Sequence, residues 1–232
     1  MPGSIIAAQI FGAVATWGIG AYATAFAINM IASSILSKAL GPSGPNDGAS
    51  SNSPNPGSRA QVAPAGDNKI PVVYGSAFVG GIVTDLSITS NNQNLYYVLT
   101  LAECTNTEQG GTPDTYTFGD VYWGGKKVIF NSTNQYKVDS LFDESTGQYD
   151  VTVAGKLEFY KYSNGSSSGV NTTKTAIEVM QDPGLVYQWD STKLMSNCAF
   201  VIIKVVYSQT ANTTSIQQTK FQLTNSRFAP GD

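Results

Sequence analysis

The sequence predicts a mainly β (α+β) fold: a compact β domain with one or two short helices, preceded by a long apolar helix and a flexible linker. Three observations along the 232 residues support this division. No charged side chain precedes Lys38, which predicts a Gly/Ala-rich apolar helix over residues 1–41. Gly, Pro, Ser and Asn dominate residues 42–69, and residues 70–232 alternate short apolar runs with turn-forming residues.

The N-terminal segment is long enough to cross a bilayer as a helix. Residues 5–32 are mostly apolar or small, and a transmembrane helix needs about 20 such residues. Small residues recur at every fourth position, a spacing that lets helix backbones approach closely: Gly12, Thr16, Gly20 and Thr24. Bulky side chains interrupt this stripe: Phe11, Trp17, Tyr22 and Phe26. We expect these two sets of residues to carry helix association or membrane contact.

Three environments fit such a segment. It is a transmembrane helix, an apolar helix buried against other copies or other proteins in an assembly, or a helix stored in an assembly and later released into a membrane. A soluble monomer that exposes it would aggregate through its apolar surface. The sequence favours burial in an assembly. Gly41-Pro42 ends the helix, and the linker lacks the apolar periodicity that folding requires.

The β domain is predicted from short aromatic and β-branched runs. Strands are expected over residues 70–75, 78–89, 95–103, 116–123, 126–130, 157–162, 199–207 and 220–224, with a short helix over 175–182. Gly80-Gly81 indicates a bulge or tight bend, and Gly124-Gly125 indicates a hairpin turn. The runs 95–103 and 199–207 are apolar on both faces and therefore predict central strands.

The composition excludes several functional classes. The chain has no histidine, so it cannot build a Ser-His-Asp unit, a Cys-His unit or a His-based zinc site. Charged residues make up 12% of the chain, and the net charge of −3 argues against nucleic acid as the main ligand. Cys104 and Cys198 cannot form a four-cysteine metal site, and we expect two buried free thiols. No cofactor is expected.

Few carboxylates are candidates for chemistry. One group is close in the sequence: Asp139, Asp143 and Glu144. It lacks the spacing of a calcium-binding loop, so we expect a solvated turn. A second group lies at or in predicted strands: Glu103, Asp120 and Glu158. These could supply a carboxylate pair for glycoside hydrolysis, although three acids among many strands are expected by chance. We expect no catalytic or metal site and no enzymatic activity.

Four aromatic residues are candidates for a sugar-binding shelf: Tyr122, Trp123, Tyr160 and Tyr162. Aromatic side chains of this kind also fill cores and cover sheet edges. Core or edge packing is therefore their expected use.

Four ordered segments carry a resemblance to a known family: residues 67–75, 79–83, 95–103 and 118–126. The first two contain a Pro-x-x-Tyr-Gly-x-x-x-Val-Gly-Gly pattern built from Pro71, Tyr74, Gly75, Gly80 and Gly81. With the preceding apolar helix and linker, the chain resembles the opening domain of tail-tip hub proteins of long-tailed bacteriophages. It is similar to the start of hubs of the tip attachment protein J group and to the C-terminal half of lambda-type tail assembly protein I.

The resemblance implies a structural protein at the distal end of a virion tail. Its implied partners are itself, as three copies, and other tail-tip, hub and tail-tube proteins, without sequence-specific nucleic acid. The apolar helices would fill or line the tube lumen and could enter the host membrane during DNA delivery. Hubs of the J group continue beyond a Pro-Gly-Asp like residues 230–232, so the chain is either a separate small tip protein or the front part of a longer hub.

A second interpretation belongs to another class of protein. It is a membrane-anchored β-domain protein that binds carbohydrate at a cell surface, with residues 5–36 as the anchor and the linker as a stalk. A single membrane-embedded copy favours this interpretation. A threefold assembly with the helices inside a tube favours the tail tip.

Overall fold

The computed structural model describes residues 69–104, 115–167 and 169–225. The predicted apolar helix, and the linker up to residue 68, lie outside these ranges. The described strands are β1 (Ser76–Val79), β2 (Ile82–Ile88), β3 (Asn94–Glu103), β4 (Tyr116–Trp123), β5 (Lys126–Phe130), β6 (Val138–Asp143), β7 (Gln148–Asp150), β8 (Leu157–Tyr162), β9 (Cys198–Val206) and β10 (Thr219–Asn225). One short helix, α1, spans Ala176–Met180.

Two antiparallel sheets form the described domain, which confirms the prediction of a mainly β fold. The first has six strands in the order β1-β10-β4-β5-β6-β7. The second has four strands in the order β2-β3-β9-β8, with β3 and β9 at its centre. The central position of β3 and β9 follows from their sequences, because a strand that is apolar on both faces must be covered on both.

The inner core lies between the two sheets. Alternate residues of β3 and β9 point into it, including Tyr97, Leu99 and Ile203, all of them fully buried. Phe159 of β8 lies at its centre, with its ring edge-to-face against Trp123 of β4 at 5.9 Å between centroids. Such edge-to-face contacts stabilise the packing of the two sheets in addition to the stabilisation that comes from the apolar area they bury.

A second core covers the outer face of the four-stranded sheet. The intervening residues of the central strands, such as Val98, Phe200 and Ile202, pack there beneath α1 and the segment that follows it. Thr175 and Glu178 form a capping box, in which each side chain accepts from the other residue's backbone N–H. This cap starts the helix at the predicted place and turns its apolar side toward the sheet.

The chain crosses from the six-stranded sheet to the four-stranded sheet at Gly80-Gly81. The predicted strand over 78–89 is therefore two strands, β1 and β2, which belong to different sheets. Gly81 has a φ of +73°, and a Cβ on it would lie 2.6 Å from Leu101 Cδ2 and 3.0 Å from the Thr100 carbonyl oxygen. Only glycine combines this backbone conformation with so close an approach to β3.

Two other predictions differ from the structure. Residues 70–75 do not form a strand, and the first described strand begins at Ser76. The solvated turn expected at Asp139, Asp143 and Glu144 is confirmed for Asp143 and Glu144, which lie where β6 turns into β7, but Asp139 lies within β6. Ser140 and Leu141 are both buried, so β6 lacks strict alternation, and β7 beyond it is short and largely exposed.

Neither Cys104 nor Cys198 forms a disulfide bond, as predicted. Cys198 lies opposite Glu103 in the β3–β9 ladder, whereas Cys104 belongs to the inner core. Since successive residues of a strand point to opposite faces, the two thiols lie on opposite sides of the sheet. Cys104 is buried and Cys198 is half-buried.

We predict that Gly81→Ala lowers the free energy of unfolding by about 3 kcal/mol, because it adds left-handed strain to a clash with β3. The matched control is Gly155→Ala. Gly155 has a similar φ of +68°, but a Cβ there meets no atom within 4 Å. The control should cost only about 1 kcal/mol. Denaturant unfolding of the full chain measures both, and equal losses would contradict the role of Gly81 as a tight crossing.

Candidate functional site

The motif residues all lie where the chain enters the domain and passes between its sheets. The carbonyl oxygen of Pro71 accepts from the Glu103 N–H at 2.9 Å, which ties the entering chain to the end of β3. Gly75 accepts from the Asn225 N–H at 2.9 Å and leads into β1. Tyr74 is 65% exposed beside them. The motif therefore builds a corner of the fold and presents one tyrosine to solvent.

The residues expected to carry helix association or membrane contact lie outside the described residues. They are Phe11, Gly12, Thr16, Trp17, Gly20, Tyr22, Thr24 and Phe26. Among the described residues, no helix has the length and apolar character that a membrane span requires.

The aromatic candidates do not form a shelf. Trp123 is buried in the inner core, and Tyr160 and Tyr162 are buried in the outer core. Tyr122 alone is partly exposed, on the six-stranded sheet. The expectation of core or edge packing is confirmed for the three buried residues, and the carbohydrate-binding interpretation loses the site that it relied on.

The carboxylates that were considered as a metal cluster each have a separate local use. Asp143 Oδ1 accepts from the Ser145 N–H at 3.0 Å, and its hydrogen bonds with Ser145 lower its pKa below the ordinary value. Asp139 accepts from the Asn131 amide, and Glu144 accepts from the Tyr122 hydroxyl. Within residues 69–104, 115–167 and 169–225, no group of three potential ligands is placed to hold a metal ion.

The carboxylates considered for hydrolysis are not brought together. Glu158 lies on β8 in the four-stranded sheet, and Asp120 lies on β4 in the other sheet. Glu103 is exposed at the end of β3. No shared site for an acid and a base follows from these three positions.

A polar network that the sequence did not indicate lies at the edge of the outer core. The Tyr96 hydroxyl donates to Asp182 at 2.7 Å, and the Tyr160 hydroxyl donates to Glu158. Lys204 lies 3.8 Å from the same Glu158 carboxylate. Burial, followed by these carboxylate partners, raises the pKa of both tyrosines above the ordinary value. The Tyr96–Asp182 bond fastens the segment after α1 to the sheet, whereas the contacts of Glu158 join β8 to β9.

A second set of contacts holds the following loop against the edge strand β2. Asp85 accepts from the Trp189 indole at 2.6 Å and from Lys193 at 3.2 Å. The loop is thereby fixed in place, although two of its apolar side chains remain open to solvent. Val186 is 70% exposed and Tyr187 is 51% exposed. This loop is a candidate contact surface.

A larger candidate surface crosses the six-stranded sheet. Residues directly opposite one another in neighbouring strands point to the same face. The registers place one row across five strands: Lys220, Tyr122, Lys127, Phe142 and Tyr149. The rings of Phe142 and Tyr149 contact each other at 4.7 Å between centroids, and Tyr149 is 60% exposed. The row presents aromatic side chains, which protein contact surfaces favour, beside two lysines.

Lys161 is the most unusual side chain of the domain. It is only 7% exposed, and its Nζ lies 4.0 Å from the centroid of the Phe130 ring. Burial lowers its pKa from 10.5 to about 8, against an opposing effect of the Asp120 charge. A buried lysine without a close carboxylate is costly to keep charged, so this residue has a cost in stability near neutral pH.

We predict that the stability difference between the wild type and Lys161→Met depends on pH. The folded chain binds fewer protons than the unfolded chain between about pH 8 and pH 10.5, because the pKa of Lys161 falls in the fold. Wild-type stability should therefore rise relative to the variant by about 2 kcal/mol between pH 7 and pH 9.5. Denaturant unfolding of both proteins at both pH values measures this difference in the free energy of unfolding. Tyrosine ionisation affects both proteins equally and therefore cancels in the difference. Parallel pH profiles would contradict the buried, uncompensated charge.

Comparison of the chain with protein-family models and with curated proteins finds no match to either.

Proposed function

We propose that the protein is a structural component of a bacteriophage tail tip, a hub or plug subunit that takes part in tail assembly and closes the tube. One observation carries the proposal. The Pro-x-x-Tyr-Gly and Gly-Gly pattern brackets β1: Pro71 is tied to the end of β3, Gly75 is tied to Asn225 at the end of β10, and Gly81 makes the crossing between the two sheets. The matched pattern thus includes a glycine, Gly81, that the fold requires for steric reasons.

The surface of the domain supports the same proposal. The described candidates for chemistry are dispersed, whereas the row across the six-stranded sheet and the loop after α1 present apolar side chains next to charged ones. Such a subunit makes contacts with neighbouring proteins. We propose that these contacts set three copies in a ring with other hub and tail-tube proteins.

The apolar N-terminal segment has a physical rationale in this assembly. An uncharged stretch of this length needs a dry environment, which the lumen of a tube closed by several copies supplies. The small-residue stripe from Gly12 to Thr24 would let the helices pack closely. The linker of residues 42–69 would connect them to the ring. On host contact the helices would leave the lumen and enter the host membrane, opening a path for DNA.

Electron cryomicroscopy of tails that contain this chain tests the location. We predict threefold density at the distal end of the tube, with the apolar segments meeting on the axis. The variant Gly12→Leu/Gly20→Leu should lose the axial density while the ring remains, because leucine keeps the backbones apart. The matched control is Val14→Leu, which lies on the opposite side of a helix from Gly12 and Thr16. A single domain tethered to a bilayer would overturn the proposal.

Leakage of dye from liposomes tests membrane entry separately. We predict that a peptide of residues 4–38 inserts and releases dye. Ile19→Lys should abolish most of the leakage, since a lysine near the centre of a membrane helix costs about 3 kcal/mol of insertion free energy. Ser34→Lys adds the same charge near the end of the segment, where it can reach the interface, and should change leakage little. If the parent peptide and the Ser34→Lys peptide both release no dye, membrane entry is excluded. The proposed location in the tail does not depend on that result.

A further inference from the structure

Two neighbouring strands of the six-stranded sheet, β4 and β5, are paired along only part of their length. Their ladder contains two pairs, Tyr122 with Lys127 and Trp123 with Lys126. Beyond them β4 pairs only with β10, and a bulge opposite Gln222 interrupts that pairing. Phe118 of β4 and Phe130 of β5 lie in this unpaired part, near Asp120, Lys127 and Lys161. We call this region the β4–β5 notch.

Lys161 reaches the notch from the opposite sheet. It lies on β8 two residues after Phe159, on the side that faces the inner core. Its Nζ is 4.0 Å from the Phe130 ring centroid and 6.0 Å from the Phe118 ring centroid. Among the residues that the structure describes, this ammonium group has no hydrogen-bond acceptor and no ion-pair partner. Ring faces attract a cation, but they do not replace a carboxylate.

The charges around the notch leave it positive. Asp120 is the facing acid, and its Oδ2 already lies 2.7 Å from Lys127 Nζ. The two lysines and the one aspartate together carry a net charge of +1. Because Lys161 is only 7% exposed, an anion beside it would interact with its charge more strongly than at an open surface. The site therefore offers charge complementarity to a single carboxylate.

We propose that the β4–β5 notch is a docking site for an acidic side chain, Asp or Glu, presented by a neighbouring subunit in the assembled tail tip. This inference rests on the proposed function, since it names the partner chemistry of one contact in the assembly. The incoming carboxylate pairs with Lys161, and the surrounding row of Tyr122 and Phe142 supplies apolar contact around the pair. Lys161 is then a binding residue. Burying its unpaired charge destabilises the free subunit, and pairing with the carboxylate offsets that destabilisation on assembly.

Pairing makes the contact dependent on pH with a defined sign. The pKa of Lys161 is about 8 in the free subunit and rises when a carboxylate docks beside it. Protonation therefore accompanies assembly above about pH 8. The association constant should be nearly constant below that pH and should fall by up to tenfold per pH unit above it, until the higher pKa of the docked state is reached. The charged groups that face Lys161 are Asp120 and Lys127.

A first experiment tests the site with acetate as the carboxylate probe. The full chain is labelled with ¹³C at the lysine ε-carbons, and Lys161→Met assigns the Lys161 signal. Acetate added at constant ionic strength against chloride should shift that signal saturably and raise the pKa at which it titrates. The signal of Lys174, an exposed lysine, is the internal control. A Lys161 signal that responds no more than that of Lys174 would overturn the proposal.

A second experiment tests the partner with tails assembled from variants. Lys161→Met should stabilise the free chain at pH 7 and yet weaken its incorporation by roughly 30-fold or more, because it removes one member of a buried charge pair. Lys174→Met should change neither. Normal incorporation of Lys161→Met would overturn the docking proposal even if acetate binds, whereas absence of the wild-type chain from tails would overturn the proposed function instead. A merely structural lysine would change stability and incorporation in the same direction.

Discussion

The pairing of β3 with β9 is the interaction on which the rest of the domain depends. These strands are the longest elements of the four-stranded sheet, and nearly every side chain between Leu95 and Ala102 is fully buried. Alternate residues of each strand build the inner core, and the residues between them build the outer core. One ladder thus supports both layers: the six-stranded sheet packs on one face, and α1 with its following segment packs on the other.

This arrangement explains what the sequence could and could not predict. The central strands β3 and β9 were predictable because burial on both faces leaves continuous apolar runs, and the hairpin was predictable from Gly124-Gly125. The strands β6 and β7 were missed: β6 carries the polar residues Asp139, Ser140 and Asp143, which hide its pattern, and β7 is a three-residue, largely exposed edge strand. Residues 70–75 look like a strand, but Pro71 has no N–H to donate and its carbonyl is taken by Glu103.

The polar features of the domain were beyond sequence reasoning for a different reason. Tyr96 and Asp182 are 86 positions apart, and Trp189 and Asp85 are 104 apart, so no local pattern joins them. Lys161 was invisible as well, since a lysine in a strand normally points to solvent. Lys161 is buried because it shares the inward face of β8 with Phe159. Its ammonium group lies there beside the rings of Phe118 and Phe130 of the opposite sheet. Only the tertiary arrangement brings these groups together.

The buried lysine matters more in a chain with so few charged residues. With 12% charged residues, surface ion pairs contribute little, and hydroxyl and amide groups make most polar contacts. A single buried ammonium group then becomes one of the larger electrostatic costs in the free domain. The apolar N-terminal segment is a second cost, because water is a poor solvent for it. A partner that supplies a carboxylate and a dry lumen removes both costs at once. By linkage, anything that satisfies these two groups stabilises the folded subunit. In the proposed assembly, the free energy of unfolding of the subunit would therefore be higher than that of the isolated chain.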